Sequence, residues 1–368
     1  MIRWPIMLDS NEIHAAQTTT KVRKNLKRRS FLAGTALAIS GGALGYGLLS
    51  SSSDTGLKTI SGKTMGTYYR VVVPEADAPD ENMVSSIGDV VAHLDNLMST
   101  YKPASEVSRF NAAIPEQRCV FSDHTIEVVN RAREVSDLTH GAFDITIEPL
   151  VNLWGFGANG KTPTLPTQAS IAATAQKTGM DALHFDETAC WKTRTELAID
   201  LNGIGKGYAV DQLAELLEAQ NVTDFLVDIG GELRASGRKP NGDVWLLGIE
   251  NPASPQQGIR SVVVLDGKAI ATSGDYRQFF IHDGREYSHV IDPRTAEPVA
   301  HILASVTVVA DTAAMADAIS TALMVMGPED GFDFARKRGI AAFFVERQRD
   351  ELVNRYTPEL GPFLPLET

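Results

Sequence analysis

Asp317 and Thr321 stand four residues apart in a run that reads as a helix from about Thr312 to Met326. A carboxylate and a hydroxyl therefore share one helical face, about one turn apart. Met315, Ile319, Leu323 and Met326 make the surroundings apolar. An acid among such neighbours is costly unless it is paired or bound to a metal. An all-oxygen ligand set suits Mg²⁺ or Ca²⁺ rather than zinc. An ion pair or a cap, with Thr321 bonded back to its own helix, satisfies the same spacing.

His289 opens the run His289-Val290-Ile291-Asp292-Pro293-Arg294 after a hairpin pattern. A histidine at a strand end can act as a general base near neutral pH; a structural histidine held by Asp292 is the competing reading. Asp200-Leu201-Asn202-Gly203-Ile204-Gly205-Lys206-Gly207 joins an extended segment to a helix. Its glycines let backbone approach a ligand, and a helix N-terminus favours phosphate. The spacing is neither the dinucleotide fingerprint nor a P-loop. Asp228 to Glu232 and Ala271 to Tyr276 are further Gly-centred turns with polar neighbours. Gly141 to Thr146 and Leu153 to Gly157 mix aromatics, glycines and an acid, so a planar ring could stack there or the aromatics could form core.

The elements that must position these groups are legible from periodicity. Apolar residues from Met83 to Met98 follow three-and-four spacing and predict a helix over 81–98. Ser122 caps a second helix through about Leu138, with Ile126, Val129 and Val135 inward. A third runs from Lys206 to Gln220. Strands are expected at 68–73, 197–201, 225–229, 244–249, 261–265 and 305–309. Asp283-Gly284 marks a hairpin between Phe279–Ile281 and Tyr287–Ile291. Helices interspersed irregularly with antiparallel-looking strands favour α+β over a doubly wound parallel sheet.

The net charge of the 368 residues is −12, with +5 on the first 29 and therefore −17 on the remainder. So acidic a body is a poor nucleic-acid binder. It is also a poor host for an anion unless a metal or local dipoles offset the field. Lys27-Arg28-Arg29-Ser30-Phe31-Leu32 is a twin-arginine pattern, followed by an uncharged, glycine-containing stretch to Leu49. Residues 1–54 read as an export signal and polar linker, and an uncleaved signal anchor is the alternative. The folded domain is expected over 55–368, starting near Leu57. Cys119 and Cys190 lack C-x-x-C spacing, which argues against a thiolate metal site. An oxidising compartment permits a disulfide without the sequence placing them together.

Taken together, these segments resemble the ApbE family of FAD:protein FMN transferases. The match runs in order through Met65-Gly66-Thr67, Met98 to Tyr101, Ser105 to Asn111, Gly141 to Asp144, Leu153 to Gly157, Ile199 to Asp211, Asp228 to Glu232, Ala271 to Tyr276, His289 to Pro293 and Ala316 to Thr321. The resemblance implies an ApbE-like α+β fold with mixed, largely antiparallel sheets. It implies FAD as substrate and Mg²⁺ as cofactor. Asp317 and Thr321 would be metal ligands, with backbone oxygens of Gly205 and Ser320. Met65, Tyr101, Ala142, Phe143, Asp144, Lys206 and His289 would line the FAD site, with His289 catalytic. Gly205 and Ser320 stand where alanine is common, and Asn202, Glu148 and Ala296 replace common glycines.

The implied reaction moves FMN onto a threonine of an acceptor flavoprotein and releases AMP. With export by the twin-arginine machinery, that threonine would face the periplasm. The combination is similar to the ApbE-like accessory proteins of nitrous oxide reduction (NosX), which serve a membrane flavoprotein. A non-catalytic FAD carrier and an FAD pyrophosphatase are the alternatives to test. A solute-binding protein is disfavoured by the irregular element order.

Overall fold

Eight strands form the main sheet of the computed structural model, which describes residues 56–158, 164–253, 258–349 and 351–365. The twin-arginine segment lies outside the described residues. In spatial order the strands are Leu57–Thr64, Thr67–Pro74, Phe225–Ile229, Glu232–Ser236, Lys268–Gly274, Leu303–Ala310, Ala341–Gln348 and Glu351–Tyr356. Every strand pairing among the described residues is antiparallel. With eight α-helices among the described residues, interspersed with the strands, the fold is α+β.

The two faces of the sheet feed two cores. Val71, Val227, Val306, Val308 and Phe344 belong to one apolar cluster, and Val72, Leu226, Phe343 and Val345 to the other. This is the period-two alternation of a strand. Helices Gly205–Ala219 and Ala313–Met326 cover the first face. The ribbon Trp245–Glu250 with Ile259–Leu265 covers the second. Central strands are therefore covered on both sides, and every residue of Phe225–Ile229 is buried.

Two predicted helices have the expected bounds for the expected reasons. Glu81–Met98 starts where the Asp80 carboxylate accepts the Met83 amide at 2.8 Å, and it buries Ile87, Val91, Leu94 and Met98. Asp123–Leu138 starts at a Ser122 cap and buries Ile126, Val129 and Val135. The expected strand over 197–201 is not one. Its polar groups are taken by side chains: the Asn111 amide holds both Ile199 N and Ile199 O, at 2.8 and 2.9 Å. Lys192 Nζ donates to Leu197 O at 2.6 Å. Alternation reports extended backbone but not whether a strand or a side chain partners it. Beyond Gly327, where no element was anticipated, Pro328 starts a second helix, Pro328–Lys337, and two sheet strands follow.

The two helices over the first face are locked to each other. A Cβ on Gly207 would sit 2.2 Å from Ala313 O, so glycine is required for this approach. The Asp211 carboxylate accepts Ala313 N and Ala314 N at 2.8 and 2.9 Å and caps Ala313–Met326. That lock carries Asp317 over the start of the Gly205 helix. No helix among the described residues is long and apolar enough to cross a membrane.

Candidate active site

Asp317 is buried, and its Oδ2 accepts the Gly207 amide at 3.2 Å. Lys206 Nζ lies 3.7 Å from the same oxygen and 3.0 Å from Glu232 Oε1. Burial pushes the Asp317 carboxyl up to about 7; Lys206 opposes the shift and the Glu232 charge adds to it. For Lys206, burial works against the ammonium, but Asp317 and Glu232 outweigh it and raise its pKa. Glu232 Oε2 is buried without a hydrogen-bond partner.

The hydroxyls close the other side of this corner. Ser273 Oγ lies 2.9 Å from Ser320 Oγ and 3.2 Å from Thr321 Oγ1. Ser320 sits inside the helix, where its hydroxyl donates to Asp317 O at 3.0 Å. Gly205 is the first residue of its helix. Among the described residues, no group of three His, Cys, Asp or Glu side chains could hold a metal. The donor set here is instead one helical carboxylate with hydroxyl and carbonyl oxygens. Two buried carboxylates against one ammonium, with an orphaned Glu232 oxygen, fit a hard cation.

Of the residues that the resemblance assigns to the flavin, Phe143 reaches this corner, against Gly203. A Cβ there would lie 3.1 Å from Phe143 Cε2 and 3.3 Å from Thr321 Oγ1. Ala142 and Phe143 are buried, and Asp144 Oδ1 is engaged by Thr146 N and Oγ1 at 2.7 and 2.6 Å. Tyr101 is 64% exposed. Its phenol pKa is raised, first by partial burial and then by the Asp200 and Glu148 charges. Met65 lies in the Met65-Gly66 turn (φ 47° and 70°) between the first two strands. The Gly230 turn adjoins it, since a Cβ on Gly230 would meet Thr67 at 2.9 Å.

His289 is partly buried, and its Nδ1 lies 3.0 Å from Gln278 O. A carbonyl only accepts, so Nδ1 carries the proton and Nε2 keeps a lone pair. Burial lowers the imidazole pKa, and the Arg277 and Lys206 charges lower it further against the Gln278 bond. Phe156 packs edge-on against His289, with ring centroids 6.3 Å apart. Trp154 is buried and stacked on Tyr287, so its face is used within the protein.

Sequence reasoning did not single out Glu232 as the partner of Lys206, Ser273 as the bridge to Thr321, or Arg277. The Arg277 guanidinium lies 3.4 Å from Gly230 O and 3.8 Å from Glu250. The only signal was that Glu232 and Ser273 fall in the polar Gly-centred turns and that Arg277 directly follows one. Nor did it pair Glu148 with Asp200. Burial, then the Asp200 charge, pushes the Glu148 carboxyl up to about 8.

A carboxyl whose folded pKa is raised binds a proton that the unfolded chain releases. Its contribution is full below the unfolded pKa and is lost as pH rises through the folded one. We expect metal-free protein to lose stability between about pH 5 and 8, by up to about 1.4 kcal/mol per pH unit from this proton. Glu148→Gln should flatten that slope in urea titrations and leave stability near pH 5 little changed. An unchanged slope would show that Glu148 ionises normally.

Known proteins share this fold. The sequence profile described as "ApbE family" matches residues 65–344. The FAD:protein FMN transferase of Escherichia coli K12 is 36% identical over 318 residues, 85% of this chain and 91% of its own. The chain belongs to the ApbE family. The ApbE-family flavin transferase of Vibrio cholerae superposes with a TM-score of 0.77 at 35% identity, covering 84% of this chain and 99% of that one. The apo flavinyl transferase ApbE of Pseudomonas stutzeri gives a TM-score of 0.78 at 39% identity, over 85% and 98%. The matched residues 65–344 therefore include both locked helices, every candidate site residue and the sheet apart from its two edge strands and the end of Ala341–Gln348.

Proposed function

We propose that this chain transfers FMN from FAD to a threonine of an acceptor protein with the help of Mg²⁺, releasing AMP. The observation that carries the reading is the junction at Gly203, against which flavin-loop Phe143 and Thr321 of the Asp317 helix both lie. A flavin held by the loop would have its pyrophosphate at the carboxylate–hydroxyl corner. Asp317 and Thr321, with oxygens of Gly205 and Ser320, would hold the cation. Bound there, it would offset charge on the pyrophosphate, which an acidic protein otherwise repels.

The protein's own groups supply the rest. Lys206 and Arg277 bring positive charge to the approach. His289 Nε2 takes the threonine proton as the threonine oxygen attacks the FMN phosphorus. A P–O bond to threonine forms, the pyrophosphate P–O bond breaks, and AMP leaves. The twin-arginine pattern supports a reaction in the periplasm, with the signal cleaved or retained at the inner membrane. The acceptor is then the periplasm-facing threonine of a membrane electron-transfer flavoprotein, with nitrous oxide reduction as the narrower setting.

The test is incubation with FAD, Mg²⁺ and a candidate membrane flavoprotein, scored for AMP release and in-gel flavin fluorescence of the acceptor. Equal yields of AMP and covalent flavin are expected. AMP with free FMN and no labelled acceptor would make the protein a pyrophosphatase. FAD binding without AMP would make it a carrier.

A further inference from the structure

Cys119 and Cys190 stand directly opposite each other on paired antiparallel strands, Cys119–Val120 and Ala189–Lys192. Directly opposed residues project to the same face, with Cα atoms about 4.5–5.5 Å apart. A disulfide spans that separation. Both residues pack against the same apolar cluster, Cys190 inside it and Cys119 at its margin. They are the chain's only cysteines, and both are free thiols in this structure.

We propose that Cys119 and Cys190 are a thiol pair that closes to an intramolecular disulfide when a small-molecule or protein disulfide is available as oxidant. The two thiols differ in access, which sets the order of events. Cys190 is buried and its thiol is pushed up to about 12, by burial first and then by Cys119. Cys119 is partly exposed, and the Lys192 and Arg109 charges counter its own upward shift from burial. The Cys119 thiolate therefore attacks the oxidant first and forms a mixed disulfide. Cys190 then loses its proton and attacks Cys119 Sγ, expelling the second oxidant thiolate. Two thiol protons and two electrons pass to the oxidant, which ends as two thiols, and one S–S bond forms.

The closed loop would run from 119 to 190 and contain the Asp123–Leu138 helix and the flavin-loop residues 142–144. Two residues beyond Cys190, Lys192 holds Leu197 O and Asn111 O at 2.6 and 3.0 Å. The bond would thus fasten the region that supports Phe143 and the approach to Asp200. A disulfide closing so long a loop stabilises chiefly by restricting the unfolded chain.

The full-length protein is equilibrated with oxidised glutathione, then alkylated, and its mass is read without reductant. The expected product is a monomer about 2 Da lighter than the reduced protein, before alkylation adds nothing to it, with a linked Cys119–Cys190 peptide after digestion. Its Tm should exceed that of the reduced protein by about 5 °C or more. Cys119→Ser should show the same Tm in oxidising and reducing buffer. Two alkylated thiols, two glutathione adducts or a disulfide-linked dimer would overturn the proposal, and each is visible in the same spectrum whether or not the variant folds.

Discussion

Asp317→Ala is expected to lower Mg²⁺-dependent FMN transfer by at least about 10²–10³-fold, the loss typical of removing one preorganised electrostatic group. Asp317 supplies the only carboxylate on the helix that faces Thr321, and its burial makes it a strong, prepositioned oxygen donor. Without it, Lys206 still has Glu232 at 3.0 Å, so the ammonium keeps a partner and the corner loses its anionic pull on a cation. Loss of activity should therefore come with a raised Mg²⁺ requirement. Asp317→Asn separates this from misfolding. A carboxyl pushed up to about 7 by burial destabilises the fold when ionised, so the neutral amide should be at least as stable at pH 8. Initial rates over a range of Mg²⁺, with EDTA as the zero point, give the answer. Turnover that survives EDTA, or an Asp317→Ala enzyme with the wild-type Mg²⁺ dependence, would remove the metal from this corner.

How much of this could be read from the chain depends on sequence distance. The Asp317–Thr321 pair was legible because a helix converts spacing into proximity. The hairpin before His289 was legible because Asp283 and Gly284 both adopt positive φ, 49° and 77°, as a tight primed turn requires. The Ser122 cap and the apolar face of Glu81–Met98 followed from local rules of the same kind. What stayed hidden is contact between distant segments. Glu232 lies 26 positions from Lys206, Ser273 lies 48 from Thr321, and Asn111 lies 88 from Ile199. Glu232 and Ser273 come in on strands of the main sheet and Asn111 on the short helix Glu106–Ala112, and no single window encodes those approaches. Asn111 shows the cost most clearly: it supplies the hydrogen bonds that an edge-to-edge strand would have, so extended backbone at 197–201 was read as a strand. For the aromatics of Leu153 to Gly157 the sequence left ring stacking and core packing both open, and the hairpin decides for Trp154 by bringing Tyr287 onto its face.

His289 carries the second large effect. His289→Ala should reduce kcat for transfer by about 10²–10⁴-fold, the usual worth of a positioned general base. FAD affinity should fall less, because Lys206, Arg277 and the flavin loop remain. The pH profile distinguishes a base from a packing residue. Burial and the neighbouring cations lower the imidazole pKa, so the neutral form persists below the ordinary histidine range. The wild-type rate should hold as pH drops through about 6.5 and decline only at lower pH, as Nε2 becomes protonated. In His289→Ala that acid limb should vanish along with the rate. Gln278 sets the tautomer through its backbone carbonyl, so side-chain variants at 278 should leave the limb in place. His289→Asn, which retains polarity without a titratable nitrogen, should behave like alanine in pH dependence. A full-rate His289→Ala enzyme, or one that keeps the same acid limb, would assign proton removal to another group and leave His289 a wall of the pocket beside Phe156.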